Sequence, residues 1–270
     1  MKKLFTAVIV TLVFLFNMMP AAAAGSDKTA SYITDKLSSG IIALAYDAQT
    51  DSKLKVMVEK DGQNVTYNLK NDGTTENFPL QLGDGEYKVS ILENVVDNQY
   101  KYVSTKNIKL DLPDEKQIYL ASVQNINWNT NMAAIIKAKE LTKGLTTDSQ
   151  KIKAVYDFLV NNVTYDFDKL SKLNNDYLPN IDNTIRTGKG ICYDYASTYA
   201  AMLRSLGIPA KLVKGYSTLV DGYHAWNEVY DSENGKWIVT DTTYDAQMKV
   251  AKRKYSMEKS AKQYTKVHEY

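Results

Sequence analysis

The sequence predicts an α+β chain in which an antiparallel, all-β sandwich is followed by helices packed on a second antiparallel sheet. Two observations carry this. From Gly40 to about Ile126 apolar residues alternate with polar ones between turn residues, the mark of short strands. From Met132 onward the apolar spacing becomes helical, and after residue 210 strand and hairpin signals return.

The chain has 270 residues. Met1-Lys2-Lys3, an apolar run from Leu4 to Phe16 and then Ala21 to Ala24 have the layout of a secretory signal peptide, with an apolar run too short to anchor in a bilayer. Residues 1–24 are therefore set apart, and release of a protein beginning near Ala24 or Gly25 is expected, without stable membrane insertion. The 33 basic and 31 acidic side chains give a net charge of +2, which falls to zero without Lys2 and Lys3. A balanced surface of this kind argues against a nucleic-acid partner.

Residues 25–122 form the expected β-sandwich domain, of immunoglobulin-like character. Its strands are read at 41–46, 54–60, 65–69, 78–82, 85–92, 100–104 and 108–112, with Asp61-Gly62 as a hairpin signal. The segment contains neither Cys nor His, and is read as a spacer or recognition module. A last short strand is expected at Ile118–Ala121, and Asn64-Val65-Thr66 and Asn162-Val163-Thr164 fit the glycosylation pattern.

Residues 123–270 form the second expected domain. Met132–Leu141 reads as a helix, and Thr147-Asp148-Ser149-Gln150 is a capping box opening another with Ile152, Val155, Tyr156, Leu159 and Val163 on one face. The polar connection from Tyr165 to Lys189, broken by Pro179, is read as a wall or lid. It leads into the sole cysteine, Cys192, in the first turn of a helix marked by Ala196, Tyr199, Ala200 and Leu203 and stopped by Gly207 and Pro209. Free backbone N–H groups and the helix dipole favour a thiolate there. In an exported chain an unpaired thiol is a liability unless used or buried.

Beyond it, Ala210–Tyr216 reads as a strand, and Tyr223–Tyr230 and Lys236–Asp241 flank the hairpin signal Ser232-Glu233-Asn234-Gly235. With a loop of two or four residues, Asp241 shares a face with His224, as a diagonal or more distant neighbour. A cysteine nucleophile needs an imidazole partner, and the imidazole an acceptor that orients it. His268 falls in a charged terminal stretch and is assigned to solvated surface, which leaves His224. Asp241 is the expected third member, Asp245 its rival and Asp194 a weaker one.

Gly190-Ile191-Cys192-Tyr193-Asp194-Tyr195-Ala196 with Met202–Ala210 and Val213–Tyr216 resembles the nucleophile segment of the transglutaminase-like superfamily. His224-Ala225-Trp226-Asn227-Glu228-Val229 resembles its histidine segment, and Gly235-Lys236-Trp237 through Asp245 its aspartate segment. Val163-Thr164-Tyr165-Asp166 is similar to a lead-in of bacterial members, whereas Thr242 stands where proline often follows the acid. The resemblance spans about residues 148 to 245. It implies a papain-like, transglutaminase-like core with Cys192 as nucleophile, His224 as base and acid, and Asp241 as orienter. It implies a thioester formed at an amide of a protein or wall peptide, then resolved by an amine or by water.

Tyr165 is the candidate second oxyanion donor, and Trp226 and Trp237 are candidate pocket walls. A cysteine peptidase and a non-catalytic cell-surface binding module are the alternatives. The expected location is extracellular or cell-surface, with a protein or peptide substrate, cell-wall peptides among the candidates. No cofactor and no dedicated metal site are expected from one cysteine and two distant histidines, while the acidic loops leave calcium open.

Overall fold

A computed structural model describes residues 30–47, 51–174 and 176–270. The signal segment expected over residues 1–24 lies outside them. The β-rich half comprises strands β1 (Ala30–Ile33), β2 (Ile41–Tyr46), β3 (Leu54–Lys60), β4 (Gln63–Leu69), β5 (Glu76–Pro79), β6 (Gly85–Val96) and β7 (Gln99–Leu110). They form two antiparallel sheets, ordered β1-β2-β5 and β4-β3-β6-β7. Ile42 and Leu44 of the first and Val56, Val58, Val89 and Ile91 of the second are buried in one apolar core, because strand alternation sends every second side chain inward.

The strand expected at Ile118–Ala121 is instead part of a 3₁₀ turn over Glu115–Leu120, whose start is capped by the Asp114 carboxylate accepting from the Lys116 N–H at 3.0 Å. Local capping prevails over a short apolar run that has no strand partner. From here the chain is helical: α1 (Ala133–Leu141) and α2 (Asp148–Asn162), the latter opened by the Thr147–Gln150 capping box.

A two-residue strand β8 (Thr164–Tyr165) leads into α3 (Phe167–Leu170) and α4 (Ile181–Thr187), so the segment read as an irregular connection is partly helical. Asp166 and Asn180 cap these helices, each accepting a backbone N–H at 2.9 Å. Then come β9 (Lys189–Gly190), which pairs in parallel with β8, and the long helix α5 (Cys192–Ser205).

The remaining elements are β10 (Ala210–Ser217), β11 (Tyr223–Asp231), β12 (Lys236–Thr240), α6 (Thr242–Val250), β13 (Glu258–Lys259) and β14 (Tyr264–Glu269). They complete an antiparallel sheet ordered β13-β12-β11-β10-β14. Helix α5 lies on it, buried along Ala196, Tyr199, Ala200 and Leu203, and the Asn227 amide fastens the two by donating to the Ala196 carbonyl at 2.9 Å.

His268 is not on a solvated tail: it lies half-buried in β14 opposite Lys214. Strand β14 comes close to β10 at Gly215, where a Cβ would stand 2.1 Å from the Thr265 carbonyl oxygen, so glycine is required there. The same segment reaches the β-rich half: the Tyr119 hydroxyl donates to Glu269 at 2.6 Å, and Tyr67 meets Tyr270 edge-on. The apolar core runs without a break from Ile41 to Tyr270.

Candidate active site

Cys192 sits at the first position of α5, partly exposed, after Ile191 in extended backbone. The helix begins here because Asp194 folds back and accepts the Ile191 N–H at 2.9 Å. Gly190 makes room for this turn, since a Cβ would lie 2.8 Å from that of Asp194. The buried Asp194 carboxylate also accepts from Lys169 Nζ at 2.8 Å and from the Tyr177 hydroxyl. Asp194 thus clasps Lys169 and Tyr177 to the helix start, and this occupies the acid that the sequence left as a weak rival.

His224 is the second residue of β11 and is buried. Register decides its partner. Asp231 pairs with Lys236 across a four-residue loop, and Asn227 with Thr240. Asp241, just beyond the strand end, is therefore a diagonal neighbour of His224 on the same face, and its Oδ2 lies 2.8 Å from His224 Nε2. The loop is held by Asp231, which accepts from the Glu233 N–H at 3.1 Å and from the Asn234 amide at 2.6 Å.

With Nε2 occupied, Nδ1 is the ring nitrogen left for Cys192, an electrostatic neighbour of this imidazole. Burial alone would lower the imidazole pKa, but the Asp241 carboxylate and Cys192 outweigh it and raise it to about 10. The ring is therefore an imidazolium across the neutral range.

Asp241 is 0% exposed and caps α6, its Oδ1 accepting the Tyr244 N–H at 2.9 Å. Its Oδ2 accepts a second bond, from the Tyr264 hydroxyl at 3.0 Å. Asp245, the stronger rival, points elsewhere: it accepts from Tyr156 and from Lys259, each at 2.5 Å, in a buried contact that joins α2, α6 and β13.

Tyr165 pairs through its backbone with Gly190, two residues before the cysteine. Burial, then Cys192 and Asp194, push its phenol up to about 12, so the hydroxyl keeps its proton near the sulfur. The two tryptophans do not form the expected pocket walls. Trp226 is 1% exposed and packs behind His224 against Tyr264. Trp237 precedes Asp241 by four strand residues, about 13 Å, and sits among Tyr119, Tyr230 and Lys211. Both were indistinguishable in sequence from wall residues, because strand parity places them on the His224 face.

The exposed apolar rim comes instead from Phe167 (67% exposed), Leu170 and Leu173 on the clasped segment, and from Tyr216 and Tyr223 beside His224. Phe167 joins the site through ring contact with Tyr165 at 4.8 Å.

Sequence reasoning also missed Lys214, whose Nζ lies 3.5 Å over the Tyr193 ring. Burial lowers it to about 8, against the opposing effect of Cys192. Tyr264 was missed as well. Neither has a local motif; only the sheet order brings them to Cys192 and Asp241. Among the described residues no three His, Cys, Asp or Glu side chains are grouped to hold a metal ion.

Residues 136–242 match the family model described as the transglutaminase-like superfamily. The chain is similar to the uncharacterized protein YebA of Bacillus subtilis, 26% identical over 197 residues, covering 65% of this chain and 26% of the relative. It is also similar to a protein-glutamine gamma-glutamyltransferase of Pseudomonas aeruginosa, 39% identical over 70 residues, covering 22% of this chain and 10% of the relative. The chain thus spans about a quarter or less of these curated relatives. Among solved structures, the periplasmic domain of TgpA from Pseudomonas aeruginosa aligns at 15% identity with a TM-score of 0.40, over 84% of this chain and 97% of that one.

Proposed function

We propose, from the match of residues 136–242 to the model of the transglutaminase-like superfamily, that the chain is a cysteine-dependent acyl-transfer enzyme acting on amides of proteins or peptides outside the cytoplasm. The observation that carries this reading is the buried His224, held at one nitrogen by Asp241 and left with the other for a cysteine at a helix start.

An imidazolium beside a thiol favours the thiolate. The Cys192 sulfur attacks the amide carbon, a C–S bond forms, and the carbonyl π pair moves to oxygen. The Cys192 backbone N–H and the Tyr165 hydroxyl are the donors proposed for that oxyanion. Collapse breaks the C–N bond, His224 gives its proton to the departing amine, and a thioester remains. The neutral imidazole then takes a proton from the acceptor, whose attack releases the sulfur. An amine acceptor gives a cross-link and water gives hydrolysis. Transfer is favoured because a relative matching this chain over 70 residues is named a protein-glutamine gamma-glutamyltransferase. The leader-like residues 1–24 support export.

Intact-mass measurement of a glutamine-bearing peptide, with and without a primary amine, tests this. Amine substitution is expected, and Cys192→Ala should abolish it. Backbone cleavage would make the enzyme a peptidase, and a Cys192 that does not react with iodoacetamide near neutral pH would sink the catalytic reading.

The apolar rim supports a peptide substrate with a large apolar residue beside the acyl donor. Peptides carrying leucine there are expected to react about tenfold better, in kcat/KM, than peptides carrying serine, the worth of one modest apolar contact. Replacing Phe167 and Leu170 by serine together should erase that ratio. A ratio unchanged in the double variant would remove the rim from substrate binding.

A further inference from the structure

The segment beyond the family match reaches back into the site. Strand β14 follows residue 242 by more than one element, and its first residue, Tyr264, places a hydroxyl 3.0 Å from Asp241 Oδ2. That is the same oxygen that meets His224 Nε2 at 2.8 Å. We propose that Tyr264 is a positioning residue of the site, one that fixes the plane of the Asp241 carboxylate and, through it, the orientation of the His224 ring. The proposal rests on the catalytic reading above and adds a residue that the three recognised sequence segments do not contain.

The carboxylate is buried, so no solvent can stand in for a lost donor. Its Oδ1 is held by the Tyr244 N–H at 2.9 Å, which fixes one end. Without Tyr264 the other end would be held only by the imidazole it is meant to orient. The donor itself is fixed by packing and by register: its ring packs on Trp226 with centroids 4.9 Å apart, and its backbone is paired opposite Ser217 in the β10–β14 ladder. Burial and the Asp241 charge hold the Tyr264 phenol well above its ordinary range, so it stays a donor at every working pH.

The route by which Tyr264 arrives is equally specific. The β10–β14 register shifts between Lys214 and Gly215, and Gly215 alone admits the Thr265 carbonyl. The titratable groups facing the imidazole are Asp241 and Cys192, and Asp245 faces Tyr264 at longer range. A charge-assisted hydrogen bond to a buried carboxylate is among the stronger kinds, so its removal should be measurable in the chemistry and not only in stability.

The test compares wild type, Tyr264→Phe and Tyr264→Leu in two measurements: the pH dependence of Cys192 alkylation by iodoacetamide, and kcat and KM on the glutamine peptide. Tyr264→Phe keeps the ring on Trp226 and removes only the hydroxyl. It is expected to raise the alkaline inflection by about one pH unit, because a carboxylate with one donor fewer holds the imidazolium more strongly, and to lower kcat by about tenfold through the looser ring, the equivalent of a one-unit shift, with KM close to wild type and the thermal midpoint lowered by the lost buried hydrogen bond. Tyr264→Leu should displace the inflection equally while lowering the midpoint further, since it also removes the ring from Trp226. A Tyr264→Phe profile and kcat matching wild type would overturn the proposal, as would an inflection displaced in the leucine variant alone, which would assign the effect to packing. If wild-type Cys192 is inert to iodoacetamide, the catalytic reading falls and takes this one with it. Reactive wild type with an unmoved Tyr264→Phe profile removes only the tyrosine.

Discussion

Asp241→Asn is expected to reduce kcat by about a thousandfold or more, the scale seen when the orienting acid of a triad becomes an amide, while leaving the fold intact. The two consequences separate because Asp241 has two duties. As the N-cap of α6 it accepts the Tyr244 N–H, and asparagine caps a helix about as well. As the partner of His224 it must accept a proton at Nε2, and an amide nitrogen turned toward the ring would instead donate, trapping the wrong tautomer.

The pH dependence of stability offers a second readout. The His224 pKa is raised in the folded protein to about 10, against about 6.5 when unfolded. Its contribution is therefore fully present below about pH 6.5 and is lost as pH rises through about 10. Urea midpoints between pH 6 and 10.5 should fall over that window in wild type and run flatter in Asp241→Asn. A variant with full activity, or with the same slope, would remove Asp241 from its assigned role.

Arg204→Ala is expected to cost roughly 2–4 kcal/mol of stability, if the Ala210 and Ala121 carbonyls each lose this partner at about 1–2 kcal/mol, the Tyr270 carbonyl still accepting the Leu212 N–H at 3.1 Å. Arg204, buried in the last turn of α5, donates from Nε to the Ala210 carbonyl at 2.8 Å, from Nη1 to that of Ala121 at 2.6 Å and from Nη2 to that of Tyr270 at 2.8 Å. One guanidinium thereby ties the end of the 3₁₀ turn, the start of β10 and the residue after β14 to α5. A lysine has no planar fork to reach all three, so Arg204→Lys should recover little. Equilibrium urea unfolding of both variants checks this, and a lysine variant near wild type would show that charge, not the fork, is what matters.

Much of the candidate site was legible because its signals are short-range. Cys192 at a helix start follows from the apolar spacing of residues 192–206 and the Gly207 and Pro209 stops. The common face of His224 and Asp241 follows from strand parity, which holds for any even loop length, and the loop between Asp231 and Lys236 has four residues. The capping box at Thr147 and the hairpin at Ser232–Gly235 are likewise local. Misreadings arose where local pattern was silent about neighbours. Parity put Trp226 and Trp237 on the correct face but could not tell that Trp226 is covered by Tyr264, or that Trp237 belongs to another aromatic group. The apolar residues around Ile118 suggested a strand, but among the described residues no strand pairs with them.

By itself, then, the sequence determined the two-part β-rich and α+β plan, the helix that presents Cys192 and the face shared by His224 and Asp241. All of these depend on periodicities that one segment carries alone. Only the tertiary structure decided among Asp194, Asp241 and Asp245, because each choice is made by a distant partner: Lys169 and Tyr177 for the first, His224 and Tyr264 for the second, Tyr156 and Lys259 for the third. A buried carboxylate takes its role from the donors that replace its water, and those donors come from segments whose approach no local pattern encodes.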